Sequence, residues 1–381
     1  MENPVYIAGV GMHPFGRFAE KTLTDLGVAA LRAALEDAGL TIGCVGALYC
    51  GTAYGGVATG HKILGALGAT SIPVMNVEAG CASGAAALLC GTLALRAEAC
   101  DYVAVLGVEK MPRGMIRSSF FEPWQEQTGL AVTPAYFALR AQQLLHEESI
   151  GEQHLAQVVV KNRANGARNP FAMYQEAVTA EAVLASPMVC PPLRLWMLCS
   201  PNEGAACVIL SRKAPSRRPR VRVAAVALRS HRFGNVLGEH TPLCGCGDDK
   251  LPPSPSELAA KEAYGTAGVG PEDLDVVECQ DTDAARELLA CRELGLYPRG
   301  ECARALQEGW FAPGGRLPVN LSGGLLSKGE PLGASGVGQV AYLCWQLQGR
   351  APGMSLPRCR VALAHTVGRG ANAAVVILRT D

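Results

Sequence analysis

The sequence predicts a duplicated α/β fold, and three observations predict it. The chain opens as strand, turn and helix, with Val5-Tyr6-Ile7-Ala8-Gly9-Val10 as a short apolar run ending in glycine, as suits a buried parallel strand. The same order returns after the basic turn at 212–220. Two pairs of segments also match across the halves. ALRAALEDAGLTIGCVGALYC matches AAKEAYGTAGVGPEDLDVVEC, each a helix, a glycine turn and a strand. CASGAAALLCGTLAL matches GASGVGQVAYLCWQL, which share x-A-S-G and an apolar helix pattern. Such a length is a duplicated domain, not a solenoid unit of about 20–50 residues.

After the first strand, Thr24 fits an N-cap for a helix over 25–38, with Leu26, Ala29, Ala30, Leu31, Ala34 and Leu35 as its apolar face and Gly39 as its C-cap. Strands follow at 45–50 and 73–77, a buried helix at 82–95 and a central strand at 102–108. In the second half a strand runs over 221–228. Ser254-Pro255-Ser256-Glu257 caps a helix that continues through Tyr264. A strand at 274–278, a helix starting near Gly333 and strands at 360–364 and 373–378 complete the series. The segment 112–197 is richer in polar, aromatic and proline residues and reads as a loop domain inserted over the site. The predicted organisation is an N-terminal half, 1–215, containing that loop domain, and a C-terminal half, 216–381.

Composition narrows the function. Of 381 residues, 49% are hydrophobic and 18% charged, which fits a well-buried globular protein. The 34 Lys and Arg balance the 34 Asp and Glu, so the chain lacks the basic excess of a nucleic-acid binder. An odd count of 15 cysteines without regular spacing predicts buried thiols in a reducing compartment, not a disulfide framework. Between Ala38 and Leu95 the only charged side chains are Lys62 and Glu78, yet glycines and polar interruptions make this a core, not a membrane span. The opening MENPVYIAGVGMHPFG carries no basic region followed by a long apolar core, which predicts a cytoplasmic protein without a secretory leader.

Four clusters carry candidate chemistry. Cys81, in Glu78-Ala79-Gly80-Cys81-Ala82-Ser83-Gly84, sits between a predicted strand and the first turn of a helix. The N–H groups and positive dipole end there favour a thiolate, and the small neighbours admit a substrate, as an acyl-transfer nucleophile requires. A plain buried cysteine is the alternative. The glycine-rich run 320–336 lacks the residue order of a nucleotide-binding P-loop, and Glu330 is its one acid. Glu278-Cys279-Gln280-Asp281-Thr282-Asp283 closes a strand, where α/β sheets bind ligands, although Asp281 and Asp283 equally suit helix N-termini. His365-Thr366-Val367-Gly368-Arg369-Gly370 is a glycine turn after a strand. Cys244-Gly245-Cys246 has no second Cys/His pair at zinc-site spacing, and the other histidines show no metal spacing, so no metal site is expected.

Taken together, the blocks VYIAGVGMHPFG, LGATSIPVMNVEAGCASG, VLGVEKM, NPFAMY, CSPNEGAACVIL, NLSGGLLSKGEPLGASG, LCWQL and VALAHTVGRGANAAVVIL resemble the thiolase superfamily, nearest to the sterol-carrier-protein-x thiolase branch and its bacterial lipid-transfer-like relatives. The resemblance implies the thiolase fold, two fused halves that each hold a five-stranded sheet and stack as α-β-α-β-α. It implies that Cys81 is the acylated nucleophile, with an oxyanion hole from the N–H groups of Cys81 and Gly368. Glu330 stands where the family has the histidine of G-H-P. Thr366 stands at the C-terminal acid/base cysteine, beside His365, which the sterol-carrier branch also has. Gln280 begins the block that usually reads H-D-x-F or N-E-A-F, and its amide is a replacement oxyanion donor.

The function so implied is an acyl-CoA-dependent acyltransferase that forms or cleaves a C–C bond through a Cys81 acyl-enzyme, with Glu330, His365 and Gln280 as the other catalytic residues. Its substrate is a coenzyme A thioester, an unusual 3-ketoacyl-CoA of lipid metabolism, and no cofactor is bound. The expected assembly is a homodimer, with a small zinc-ribbon/OB-fold protein as a further partner and neither nucleic acid nor membrane. Two alternatives stay open. One is a retro-aldolase of a β-hydroxyacyl-CoA, which needs Glu330 and His365 but not Cys81. The other is a non-catalytic thiolase-fold subunit of a heteromeric complex.

Overall fold

The computed structural model describes residues 3–68, 71–113, 123–129, 132–217, 219–231, 253–368 and 372–381. The first half runs β1 (Tyr6–Gly16), α1 (Leu23–Ala38), β2 (Ala47–Gly51), α2 (Thr59–Ala66), β3 (Val74–Val77), α3 (Ser83–Arg96) and β4 (Tyr102–Lys110). Then come α4 (Pro123–Gln127), α5 (Thr133–Glu148), α6 (Glu152–Gly166), α7 (Ala180–Ala185), β5 (Met188–Cys190), β6 (Leu193–Arg194) and β7 (Glu203–Ser211). The second half runs β8 (Val221–Ser230), α8 (Pro255–Ala267), β9 (Val276–Cys279), α9 (Ala284–Glu293), α10 (Cys302–Gln307), α11 (Gly324–Lys328), α12 (Leu332–Leu347), β10 (Val361–Gly368) and β11 (Asn372–Thr380).

Nine strands hydrogen-bond in the order β3-β2-β4-β7-β1-β8-β11-β10-β9. The join between β1 and β8 is a single residue pair, Tyr6 with Arg222, so two sheets meet there edge to edge. The second sheet repeats the first: β8, β9, β10 and β11 stand where β1, β2, β4 and β7 stand, with the same parallel and antiparallel pairings. Among the described residues one strand fewer than the resemblance implied is present. The counterpart of β3 is an isolated parallel bridge between Val277 and Val319. Pro318 offers no N–H to a ladder, and Asn320 turns the chain into the left-handed region at φ 56°, so pairing stops after one residue.

Helices α1 and α2 cover the outer face of the first sheet, and α8 covers that of the second. Between the sheets, α3 and α12 pack on each other and on both, which completes the five layers. Every residue from Gly333 to Leu347 is buried, as a helix enclosed on all sides requires. Close approach is forced where the two central helices start. A β-carbon at Gly84 would lie 2.7 Å from the carbonyl oxygen of Gly333, so only glycine lets these turns touch.

Glu109, fully buried at the end of β4, ties this junction together. Its carboxylate accepts hydrogen bonds from Thr52 Oγ1 (3.1 Å) and from the backbone N–H groups of Ala53 (2.8 Å), Tyr54 (3.0 Å) and Gly333 (3.2 Å). Burial pushes its carboxyl above the ordinary value, and these donors pull it back. Glu109→Ala leaves the buried Gly333 amide and the part-buried Ala53 and Tyr54 amides without their acceptor and is expected to lower unfolding stability by about 2 kcal/mol, read from urea denaturation.

Local signals and structure agree at Gly39, a left-handed C-cap at φ 66°, and at Ser254, whose capping box with Glu257 opens α8. The N-cap of α1 is Thr22, not Thr24. Thr22 lies three residues before Asp25, so its hydroxyl takes the Asp25 N–H at 3.1 Å while the Asp25 carboxylate takes the Thr22 N–H at 2.7 Å. The strand β7, which the periodicity argument does not reach, is buried at all nine positions between β4 and β1. The segment 112–197 is largely helical where described, and Tyr136, Phe137, Val158 and Val159 join the core that covers the outer side of the second sheet. Among the described residues no helix is long and apolar enough to cross a membrane.

Candidate active site

Cys81 lies on the short turn between β3 and α3. Gly80 takes a left-handed conformation at φ 60°, and Ser83 pins the turn by accepting the Ala79 N–H (2.9 Å) and donating to Gly80 O (2.5 Å). The cysteine is 8% exposed and stands one residue before the cap of a 14-residue helix, where the dipole favours negative charge. Gly368 closes β10 directly against this turn. A β-carbon there would fall 2.1 Å from Ala79 O, so β10 reaches the Cys81 turn only because residue 368 has no side chain.

The junction of β9 and α9 supplies the facing wall. Asp283 is the N-cap of α9, accepting the Arg286 N–H at 2.9 Å, and it pairs with Arg140 of α5. Asp281 accepts the N–H groups of Leu325 (2.6 Å) and Leu326 (3.2 Å) at the start of α11, and Asn162 Nδ2 at 2.8 Å. Burial, then Glu287, pushes the Asp281 carboxyl well above the ordinary range. The glycine-rich run is thus held by protein carboxylates, with Glu278 taking the Ser322 N–H at 2.9 Å. Both aspartates act at helix N-termini.

Gln280 turns the other way and begins a chain of polar contacts. Its Oε1 accepts the Val367 N–H, and its Nε2 donates to Glu330 Oε1 at 2.9 Å. The other oxygen, Oε2, accepts the Cys199 thiol at 3.2 Å. Backbone bonds from Cys199 N to Thr282 O (2.9 Å) and from Glu330 N to Ser200 O (2.8 Å) bind the three segments together. Glu330 is 7% exposed, so it is not a solvated acid. Burial, then Glu330, pushes the Cys199 thiol well above its ordinary value, and a smaller effect comes from Cys81. Cys199 is therefore held as an S–H donor in the electrostatic neighbourhood of the Cys81 sulfur.

A narrow cleft of about 10 Å³, room for about one water, is lined by Cys81, Gln280, Thr282 and Val367, with Phe137, Arg140 and Arg286 completing the wall. The structure thus brings Cys81 and Gln280 together, sets Glu330 one residue behind Gln280, and lays Gly368 on the Cys81 turn. His365, expected as a catalytic residue, lies behind these groups. That ring is not part of the pocket wall; its Nε2 lies 2.9 Å from Ser256 Oγ, which also accepts Arg286 Nη2 at 3.2 Å. On β10 His365 shares a face with Val367 but sits two residues deeper. Through Ser256 it is linked to Arg286 of the wall. Gln280 likewise spends one donor on Glu330 and is not solely an oxyanion donor. Thr366 is buried, and its Oγ1 has no hydrogen-bond partner among the described residues. Arg369, Gly370, Cys244 and Cys246 lie outside the described residues.

Cys199, Arg140 and Arg286 escape the sequence argument. Cys199 lies in the block CSPNEG, whose proline and acid mark a turn and give no hint of a thiol facing a carboxylate. Arg140 and Arg286 sit in helices at positions no pattern separates from surface arginines.

Residues 5–181 match the family described as Thiolase, N-terminal domain, and residues 247–380 match Thiolase C-terminal domain-like. The chain is 32% identical over 398 residues to sterol carrier protein 2 of Gallus gallus, covering 99% of this chain and 72% of that one. It is 33% identical over 384 residues to benzoylsuccinyl-CoA thiolase subunit BbsB of Thauera aromatica, covering 98% of this chain and 97% of that one. Among solved structures, the Ltp2-ChsH2(DUF35) aldolase superposes with a TM-score of 0.86 at 22% identity, covering 100% of this chain and 98% of that chain.

Proposed function

This chain belongs to the thiolase family of acyltransferases, and we propose that it forms or cleaves a C–C bond of an unusual 3-ketoacyl-CoA through an acyl-enzyme on Cys81. The observation that carries this reading is the position of Cys81: a nearly buried sulfur at the mouth of a helix N-terminus, in the wall of a narrow cleft, with the end of β10 laid against its turn.

In the cleavage direction the Cys81 thiolate attacks the 3-keto carbonyl. The oxygen becomes an oxyanion, received by the backbone N–H groups of Cys81 and Gly368 and by the second amide hydrogen of Gln280. Collapse breaks the C2–C3 bond. The acyl group stays on sulfur, and the electron pair leaves on C2 as an enolate that takes up a proton. Coenzyme A then attacks the acyl-enzyme, and its thiol proton must be removed. Glu330 is the group we assign to these proton movements. Both of its oxygens are acceptors, with Cys199 and Gln280 as donors, and an S–H beside a carboxylate can pass a proton either way. His365 positions Arg286 through Ser256.

Coenzyme A enters as substrate. We read the assembly as at least a homodimer, accompanied by a small zinc-ribbon/OB-fold partner. The name of BbsB as a thiolase subunit and that of Ltp2-ChsH2(DUF35) as a two-component aldolase support a heteromeric arrangement. The retro-aldol reading draws on the acid at position 330, where the family's usual motif has histidine. Incubation with acetoacetyl-CoA followed by intact-mass measurement tests the proposal. An acetyl adduct is expected on the wild type and not on Cys81→Ser, and its absence from the wild type would count against the acyl-enzyme.

A further inference from the structure

Position 199 carries a thiol where the fold asks only for backbone. The chain around it is fixed from both sides: Leu198 bridges Asp283, Cys199 N–H donates to Thr282 O at 2.9 Å, Pro201 bridges Glu330, and Glu330 N–H donates to Ser200 O at 2.8 Å. These main-chain contacts join the segment to the end of β9 and to the turn between α11 and α12 without a side chain. The thiol nevertheless turns onto Glu330 Oε2 at 3.2 Å. An S–H is a weak donor. The buried acids that anchor loops are held differently. Glu109 takes a hydroxyl and three backbone N–H groups, and Asp281 takes two backbone N–H groups and the Asn162 amide. Glu330 receives side-chain donors, Gln280 Nε2 on one oxygen and the Cys199 thiol on the other. Cys199 is not itself a base. Burial, then Glu330, holds its thiol well above the ordinary value, so it stays protonated at neutral pH.

From this geometry, and resting on the assignment of Glu330 to the proton movements, we infer that Cys199 is a positioning residue: its S–H fixes the Glu330 carboxylate and sets the pH at which that carboxylate ionises. The step affected is the attack of coenzyme A. Its thiol proton passes to a Glu330 oxygen, its sulfur bonds to the acyl carbon, and the Cys81–acyl bond breaks with the electron pair returning to the Cys81 sulfur. The proton now on Glu330 is the one delivered to C2 in the next turnover. A donor to the ionised form lowers the pH at which a carboxylate ionises. Charged and titratable groups around the pair include Asp281 and Cys81, both in electrostatic reach of Cys199, and Lys328, whose Nζ lies 3.7 Å from Glu278. Arg17 donates to Pro201 O, and Arg140 and Arg286 stand in the wall of the cleft. All of them are kept when position 199 is changed, so a shift seen there belongs to the thiol.

Cys199→Ala and Cys199→Ser test this, with circular dichroism to establish folding. Infrared titration follows the carboxyl band that Glu330→Gln removes, and it needs no turnover. The band is expected to titrate at higher pH in Cys199→Ala, and to return to the wild-type pH or below it in Cys199→Ser, which restores a donor. The inference is overturned by a band that stays in place in Cys199→Ala, by a serine variant displaced as far as the alanine one, or by a Glu330→Gln protein that loses no titrating band. Kinetics scores the mechanism separately. With acetoacetyl-CoA as acyl donor, kcat/KM for coenzyme A on the acid side of its pH profile is expected to fall about threefold or more in Cys199→Ala and to recover in Cys199→Ser. A carboxyl titration that moves while the rate profile stays put sinks Glu330 as the base of the acyl-enzyme reading and leaves the hold of Cys199 on Glu330 standing.

Discussion

Replacing Cys81 by serine is expected to lower turnover by at least about a thousandfold while the protein stays folded. The change swaps sulfur for oxygen at one nearly buried position and adds no bulk, so the turn held by Ser83 and Gly80 survives. The chemistry does not survive. A serine hydroxyl stays protonated at neutral pH, and among the described residues no histidine is part of the pocket wall to take its proton. Glu330→Gln serves as the comparison. It keeps one oxygen for an incoming donor but removes the carboxylate that faces Cys199. Under the acyl-enzyme mechanism it is expected to slow turnover by roughly ten- to a hundredfold, and a stopped reaction should still leave an acyl group on Cys81. Under the retro-aldol mechanism the order reverses: Cys81→Ser turns over normally and Glu330→Gln is the inactive protein. Steady-state kinetics on the two variants, with circular dichroism to establish folding, separates the mechanisms.

Much of the architecture was legible because it is written in local periodicity. The matched segments at 81 and 333 become α3 and α12, the two central helices, and their shared small residues are what let the helices cross in contact at Gly84 and Gly333. Cys81 was legible because strand, glycine and helix are consecutive in the chain. Depth was not. His365 and Val367 differ by two positions on one strand face, about 7 Å along it, and that distance decides which of them meets the pocket. Nor were Arg140 and Arg286 legible. Their meaning comes from α5 and α9 folding over a sulfur more than fifty residues away in the chain, which no window of sequence contains. Cys199 is the intermediate case: visible as a cysteine, but given its role only by Glu330 arriving from residue 330.

The second large effect is expected at a residue with no side chain. Gly368→Ala places a methyl group 2.1 Å from Ala79 O and 2.6 Å from Asn372 Oδ1. Carbon and oxygen cannot approach so closely, so either the end of β10 or the turn carrying Cys81 must retreat by about an ångström. Both possibilities harm the same geometry. If β10 moves, the Gly368 N–H leaves the position from which it would meet an oxyanion; if the turn moves, the sulfur leaves its line of attack. A displacement of that size is expected to cost about a hundredfold in kcat/KM. The loss should fall on the rate of Cys81 acylation more than on affinity for coenzyme A. Gly265→Ala is the matched control, since nothing lies within 4 Å of the new methyl and the residue is inside α8. Relieving a helix of glycine there is expected to raise stability by about 0.5–1 kcal/mol and leave turnover unchanged. If Gly368→Ala instead acylates at the wild-type rate, the oxyanion cannot be resting on β10. The negative charge must then be carried by the Cys81 N–H and Gln280 alone, and the mechanism loses one of its three donors.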